Sequence, residues 1–319
     1  MAVTAGASRA RLLAAFAVVY VVWGSTYLAI RFAIETMPPF VMAAMRFLVA
    51  GGILIAWSVV RGAEWPRWTQ WRSAVVIGAL LLLGGNGAVV WSEQRVPSSI
   101  AALLVASMAL WMVLLDWARP GGRRPGALVF AGLALGLAGL ALLVGVGGAA
   151  LHGGVDRLGA LVLVLASLSW AIGSLVSRAA PKPAVPLLAA GMEMLAGGIL
   201  LLLASLVSGE MSTVRLAAVS TRSVLAFLYL VTAGSLLGYS TYAWLLRHAS
   251  AAKVATYVYV NPVVAVLLGW TFAGEPVTAR TLVASAVIVA AVALVTASRS
   301  TAPPGATCDA AEIGALDAA

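Results

Sequence analysis

An all-α polytopic membrane protein is what this sequence predicts, on three observations. Charges are too few to wet a surface, apolar runs have membrane-crossing length, and a motif pattern recurs. Of 319 residues, 62% are hydrophobic and 10% charged, against roughly 45–50% and about 25% in a soluble domain. Mean hydropathy is +1.03. A soluble globular protein is excluded. Cys308 is the single cysteine, so neither an intrachain disulfide nor a Cys-based metal site forms. The net charge of +9 would suit nucleic acid, but its distribution follows membrane topology, and no nucleic-acid partner is expected.

Ten apolar runs follow one another with short breaks: Leu12–Ile30, Phe40–Val60, Ala74–Trp91, Ile100–Leu115, Ala127–Leu151, Leu158–Val176, Val185–Val207, Val224–Leu246, Val254–Ala273 and Val277–Ala297. Each approaches the ~20 residues that cross the hydrocarbon core as a helix. They are too long for barrel strands, and backbone in lipid must satisfy its own hydrogen bonds, so the spans are helices. Arg9 and Arg11 precede the first run as in a signal peptide. Its length and the spans that follow mark it instead as an uncleaved first helix. Trp65, Trp68 and Trp71 form an interfacial anchor before the third span. Gly132, Gly136 and Gly139 in the fifth have the spacing of a helix contact. Pro262 after Asn261 predicts a kink in the ninth span. Ala109 stands at the equivalent place in the fourth, so the kink should be asymmetric. From Ser300 the tail is rich in Pro, Gly and Ala, which predicts disorder over 300–319.

An even number of spans puts both termini on one side. That side collects Arg9, Arg11, Arg61, Arg67, Arg72, Arg119, Arg123, Arg124, Arg178, Lys182, Arg247, Lys253 and Arg299, 13 in all. The other holds 6: Arg31, Arg95, Arg157, Arg215, Arg222 and Arg280. The richer side is cytoplasmic by the positive-inside rule. The expected site of residence is the inner (cytoplasmic) membrane, with residues 1–11 and the tail inside.

The halves repeat. Trp23 and Arg31 stand 147 residues before Trp170 and Arg178, and Met45-Arg46 stands 147 before Met192-Glu193. Ala50–Leu54 returns as Ala196–Leu200 after a one-residue slip; Trp91 precedes Trp244 by 153, and Leu114–Trp117 precedes Leu267–Trp270 by the same offset. Repeats over 12–151 and 157–297 therefore hold five spans each. An odd number inverts the second copy in the membrane. Inverted repeats typify secondary transporters, with the solute site near the midplane between them.

Arg46 and Glu193 lie inside spans at equivalent repeat positions. A charge at the bilayer centre costs about 2.5–3.5 kcal/mol even on the lenient insertion scale, so it should face a cavity or a partner. Solute binding is one role, with Glu193 a proton acceptor. Two others fit: Arg46 snorkelling to the interface, or an Arg46–Glu193 salt bridge locking the repeats. Four helices carry polar or glycine-rich interruptions: Trp23-Gly-Ser25-Thr26, Gly84-Gly-Asn86-Gly87, Trp170-Ala-Ile-Gly-Ser174 and Gly234–Tyr242. Asn86 and Tyr239 fall at the same repeat position. Such interruptions either let helices approach closely or turn backbone carbonyls to a cavity. Trp111, Tyr257 and Tyr259, with Trp23 and Trp170, can wall a pocket for a flat or amphipathic ligand. The candidate set is Trp23, Ser25, Thr26, Arg46, Asn86, Trp111, Trp170, Ser174, Glu193, Tyr239, Tyr257 and Asn261. Gly145–Ala150 matches a dinucleotide fingerprint but follows no strand, so it reads as a loop. His152 and His248 fall on opposite sides of the membrane, which excludes a His-based metal centre; no cofactor is expected. No nucleophile–base pair or carboxylate pair marks an intramembrane enzyme.

Several strings resemble the EamA branch of the drug/metabolite transporter superfamily. They are Val22–Tyr27, Pro39-Phe40 with Arg46-Phe47, Gly84–Gly87, Val96–Leu103, Ser169-Trp170, Glu193–Leu195, Tyr257–Gly269 and Gly274-Glu275. The likeness covers about residues 12–297. It implies a ten-helix inner-membrane protein of two inverted five-helix repeats around a central cavity. It also implies export of amino acids, other small metabolites or drugs. Two departures stand out: Ala109 where members often carry Pro, and Arg119–Arg124 where they carry an acidic residue, whose second-half counterpart is Glu275. The expected partners are a small-molecule solute and the lipid bilayer, with proton coupling, in a monomer or weak homodimer. A multispecific drug carrier and a non-transporting scaffold are the alternatives.

Overall fold

The computed structural model describes residues 9–118, 126–144, 155–249, 254 and 257–300. Among them every regular element is helical. In chain order they are α1 (Arg9–Ala33), α2 (Pro39–Val60), α3 (Trp68–Ser92), α4 (Ser98–Ala118), α5 (Ala127–Val144), α6 (Arg157–Ala179) and α7 (Pro186–Val207). Then come α8, in the contiguous pieces Thr221–Tyr229, Leu230–Leu237 and Gly238–His248, followed by α9 (Tyr257–Ala273) and α10 (Ala279–Ser300). Seven of these, α1–α4 and α6–α8, are long and apolar enough to cross a membrane; the apolar parts of α5, α9 and α10 are shorter. The Gly145–Ala150 fingerprint, His152, the basic Arg119–Arg124 stretch, Lys253, Cys308 and residues 301–319 of the tail lie outside the described residues, while Ser300 ends α10.

Small residues decide which helices touch. A Cβ on Gly51 of α2 would come 2.7 Å from the Leu195 main-chain nitrogen of α7, and one on Gly198 of α7 would come 3.0 Å from Leu48. On the α5–α10 seam, a Cβ on Gly139 would sit 2.8 Å from Ile288 Cγ1. Gly136 faces Leu110 of α4 instead. Backbones this close gain dispersion contacts that lipid cannot offer. Around these seams α1 packs on α8 and α9, and α6 packs on α3 and α4. Helix two pairs with helix seven, five with ten, and the first helix of each half lies on the third and fourth of the other. The helices of each half thus take their main partners from the other half.

Mid-helix, α3 and α8 each switch to π-helical winding, over Ala79–Gly87 and Leu230–Leu237. Both stretches run into interruptions that the sequence marks as polar or glycine-rich, Gly84–Gly87 and Gly234–Tyr242. π turns loosen the i→i−4 ladder and are frequent at functional sites.

The break in helical winding falls in the fourth span, not the ninth. α9 continues as one helix across Pro262, whereas α4, without a proline, divides at Ala106–Ser107 into Ser98–Val105 and Met108–Ala118. The physical reason is a polar graft. Ser107 Oγ donates to Leu104 O at 2.6 Å and also meets Ser167 Oγ of α6 at 2.8 Å, so its hydroxyl competes with the local helix ladder.

Candidate solute-binding site

On α1 the Trp-Gly-Ser-Thr run turns toward α8 and α9. Thr26 Oγ1 donates to Trp23 O at 2.6 Å, and Ser25 Oγ, bonded to Val22 O, meets the Tyr229 hydroxyl at 2.6 Å. Trp23 Nε1 donates 3.2 Å to Gly234 O inside the π segment of α8. A Cβ on Gly238 would run into that indole, so glycine there makes room for tryptophan. Around it stand Tyr239, Tyr242 and Tyr257, with ring centroids 5.8, 5.1 and 5.0 Å away. Edge and tilted contacts of this kind make a rigid amphipathic wall. Asn261 stands at its base; with the amide turned so that nitrogen faces the main chain, it donates to Tyr257 O at 3.1 Å and Tyr20 O at 3.3 Å.

Arg46 reaches the same cluster from α2. Only 5% of it is exposed. Its Nε donates to Ser235 Oγ at 3.0 Å, its guanidinium lies 4.8 Å over the Phe47 ring, and Nη1 has no protein partner. It neither snorkels nor pairs with Glu193. Glu193 is half-buried, beside a narrow crevice lined by Gln70, Lys182 and Met192. Both charges lie within electrostatic reach of Tyr239.

The mirror cluster is built on α6 and α3. Trp170 lies against Gly85, where a Cβ would sit 3.3 Å from its Cδ2. Ser169 Oγ donates to Leu80 O of the π segment at 2.7 Å. Ser174 bonds back to Trp170 O at 2.8 Å, within its own helix. Asn86 Oδ1 and Trp111 Nε1 are buried without a protein partner. The Tyr259 side chain lies outside the described residues. Eight of the twelve candidates therefore gather around Trp23, Arg46 or Trp170 through a ring contact, a hydrogen bond or the electrostatic reach of Tyr239; Asn86 and Trp111 stand apart, Ser25 joins through Tyr229 and Asn261 through Tyr257. Ser235, Tyr229 and Tyr242 are additions. Ser235 and Tyr242 sit in the Gly234–Tyr242 run that the sequence already marks.

Carboxylates organise the helix ends nearest this cluster. Gly274, at φ +63, ends α9 and turns Glu275 back onto the start of α4. There it accepts Ser98 N at 2.7 Å, Ser98 Oγ at 2.8 Å and Ser99 N at 3.0 Å. Gly209, at φ +76, does the same after α7. Glu210 then accepts Phe40 N at 2.8 Å and Val41 N at 3.4 Å at the start of α2. Burial pushes the Glu210 carboxyl above its usual range, against the pull of those two amides. Glu93 lies in the α3–α4 turn, fully buried, with neither carboxylate oxygen hydrogen-bonded. No signal in the sequence singled it out. A groove of about 480 Å³ between α4, α9 and α10 is a furrow on the outside: its lining residues Val263, Leu267, Trp270 and Leu282 are exposed.

These helices and their buried polar cluster define a polytopic membrane protein of the transporter class. The EamA-like transporter family profile matches residues 10–145 and again 157–297. The chain belongs to that family. It is 41% identical over 286 residues to the uncharacterized inner membrane transporter YedA of Escherichia coli K12, a match covering 89% of this chain and 90% of that one. A probable amino-acid metabolite efflux pump of Salmonella typhimurium is 26% identical, covering 85% and 90%. A protein of known crystal structure, 22% identical, shares the fold with a TM-score of 0.62 over 91% of this chain and 99% of its own. Family and relatives alike indicate a transporter, which is not an enzyme.

Proposed function

We propose that the chain is a secondary transporter of ten spans in two inverted five-helix repeats, 12–151 and 157–297. It exports small amphipathic metabolites, such as neutral or aromatic amino acids, by alternating access. One observation carries this reading. π-helical segments occur at matching places in the two halves, and each is held by the tryptophan of the other half. Interrupted helices at a repeat interface are where secondary transporters bind solute. In this reading the solute is an amphipath with an anionic or polar end at Arg46 Nη1 and an apolar part against Trp23, Tyr239 and Tyr257. Ser25, Thr26, Asn86, Trp111, Trp170, Ser174, Glu193 and Asn261 complete the lining. The protein resides in the inner membrane with both termini cytoplasmic, as a monomer or weak homodimer. Multispecific drug efflux is the second reading, favoured by the aromatic wall, which accepts flat ligands of many kinds.

Proteoliposomes preloaded with labelled amino acids and loaded separately with a planar cationic dye test both. Release of amino acids alone is expected. Arg46→Gln removes a charge-assisted contact worth about 1.5–3 kcal/mol, so transport should fall roughly tenfold to 100-fold. Dye movement without amino-acid movement selects the second reading, and release of neither overturns both.

A further inference from the structure

Glu93 is the buried charge that the transporter reading leaves unused. It is 0% exposed, and both carboxylate oxygens and the neighbouring Ser92 Oγ have no protein partner. Two groups nearby would ordinarily stabilise a carboxylate, and both are committed elsewhere. Arg31 Nη1 donates 2.6 Å to the main-chain oxygen of Glu93, not to its side chain. The free amides at the start of α4 are taken by Glu275.

Titratable groups reach Glu93 electrostatically from α1, α2 and the α9–α10 link. α1 brings Arg31 and Tyr27, α2 brings Arg46, and the α9–α10 link brings Glu275. α4 offers only Ser98 and Ser99. From the start of α6, Asp156 is bonded to Gly159 N of its own helix, and Arg95 of the same turn lies 4.1 Å over Trp91. Arg46 also ends in an unpartnered Nη1, yet no ion pair joins it to Glu93 among the described residues. A carboxylate in this position lacks both water and hydrogen-bond donors, the circumstance that favours the neutral acid.

We propose that Glu93 is the protein's proton-binding carboxyl: a neutral acid while this end of the bundle is packed shut, an anion once the end opens, so that the transport cycle carries a proton. The proton comes from water on one side and returns to water on the other, with no bond other than O–H made or broken. Burial and the adjacent Glu275 carboxylate push the Glu93 carboxyl well above the usual range, against Arg31 and Arg46. The coupling rests on the transporter reading, whereas the protonation does not.

Infrared difference spectra of the full chain in liposomes, recorded across pH in H2O and D2O, separate the two. A carbonyl band of a protonated carboxylic acid free of hydrogen bonds is expected. It should vanish in Glu93→Gln, persist in Glu193→Gln, and titrate with a shifted midpoint in Glu93→Asp. A band that survives Glu93→Gln, an unchanged midpoint in Glu93→Asp, or no such band in the wild type overturns the proposal. With whichever amino acid the wild type moves, the rate should change with pH by up to roughly tenfold per unit, and Glu93→Gln should be flat. A wild-type rate independent of pH overturns the coupling. A wild type that moves no solute overturns the transporter reading, and the infrared result still decides the protonation.

Discussion

The two halves begin their helices by different means. In the second half the start is local: Asp156 Oδ1 accepts Gly159 N of α6 at 2.6 Å, Ser220 Oγ accepts Ser223 N of α8 at 3.1 Å, and Thr278 Oγ1 accepts Thr281 N of α10 at 3.1 Å. In the first half α2 and α4 begin at Pro39 and Ser98, and their free amides are met by Glu210 and Glu275 of the second half. A glycine with positive φ precedes each of those glutamates. Three helices of the second half thus start on their own residues, as α3 does through Arg67 N and Gln70 Oε1, while α2 and α4 borrow their caps from the other half. Docking of the halves is therefore part of forming α2 and α4, and loss of a borrowed cap should cost more than loss of a local one.

The largest effect is expected at Glu275. Glu275→Ala removes three hydrogen bonds and leaves two buried amides of α4 unsatisfied. Each such group costs about 1–3 kcal/mol, so a loss of roughly 3 kcal/mol is expected in reversible unfolding in detergent. Gly269, where a Cβ would run into Glu275 Oε2, should behave alike when changed to Ala, because the carboxylate is then displaced. Asp156→Ala, a local cap, should cost about 1 kcal/mol. Equal losses at Glu275 and Asp156 would end the distinction between borrowed and local starts.

Next in size is the contrast between the two π segments. Gly85 and Gly238 occupy equivalent places, yet their tryptophans press differently. Trp170 leaves 3.3 Å to a Cβ on Gly85, whereas Trp23 leaves no room over Gly238. Gly238→Ala should overpack the site by about 1–3 kcal/mol and break the Trp23–Gly234 hydrogen bond. Gly85→Ala should be within about 1 kcal/mol of wild type, since alanine also gains in helix propensity. Melting temperature and the Trp23 emission maximum, in a variant keeping only that tryptophan, measure the two. Equal cost at both sites would mean that the tryptophans are held alike.

Much of this was legible in the sequence. Apolar run length marked where the helices lie, and the Trp, Gly and Arg46/Glu193 offsets marked which positions correspond, because each registers as a local pattern. Partner exchange between helices did not, since it depends on how the halves dock. The break in α4 escaped the sequence for a related reason. A proline removes one donor, but neighbouring helices can absorb the loss in a bundle, while Ser107 interrupts α4 through a hydroxyl shared with Ser167. Glu93 escaped notice because a glutamate just past a span reads as loop; only the packing of α1, α2 and α4 around it reveals an isolated carboxyl. The Gly-Glu pairs at 209–210 and 274–275 were the readable trace of the borrowed caps, one of them noted only as a family likeness.

The smallest effect concerns the direction in which Glu210 responds to pH. Amides at a helix start favour the anion, and burial favours the acid. Here burial is the larger influence, and the folded-state value lies above the ordinary one. The folded protein then holds this proton more tightly than the unfolded chain does. Its stabilising contribution is fully present below the ordinary glutamate value of about 4.3 and is lost as pH rises through the elevated one. Glu210 is partly open to solvent, so screening keeps the effect near 1 °C in melting temperature. Glu210→Gln should flatten that decline relative to wild type in the window just above the ordinary glutamate value. A wild type that gains stability over the same window would show that the Phe40 and Val41 amides outweigh burial, making Glu210 as firm a cap as Glu275.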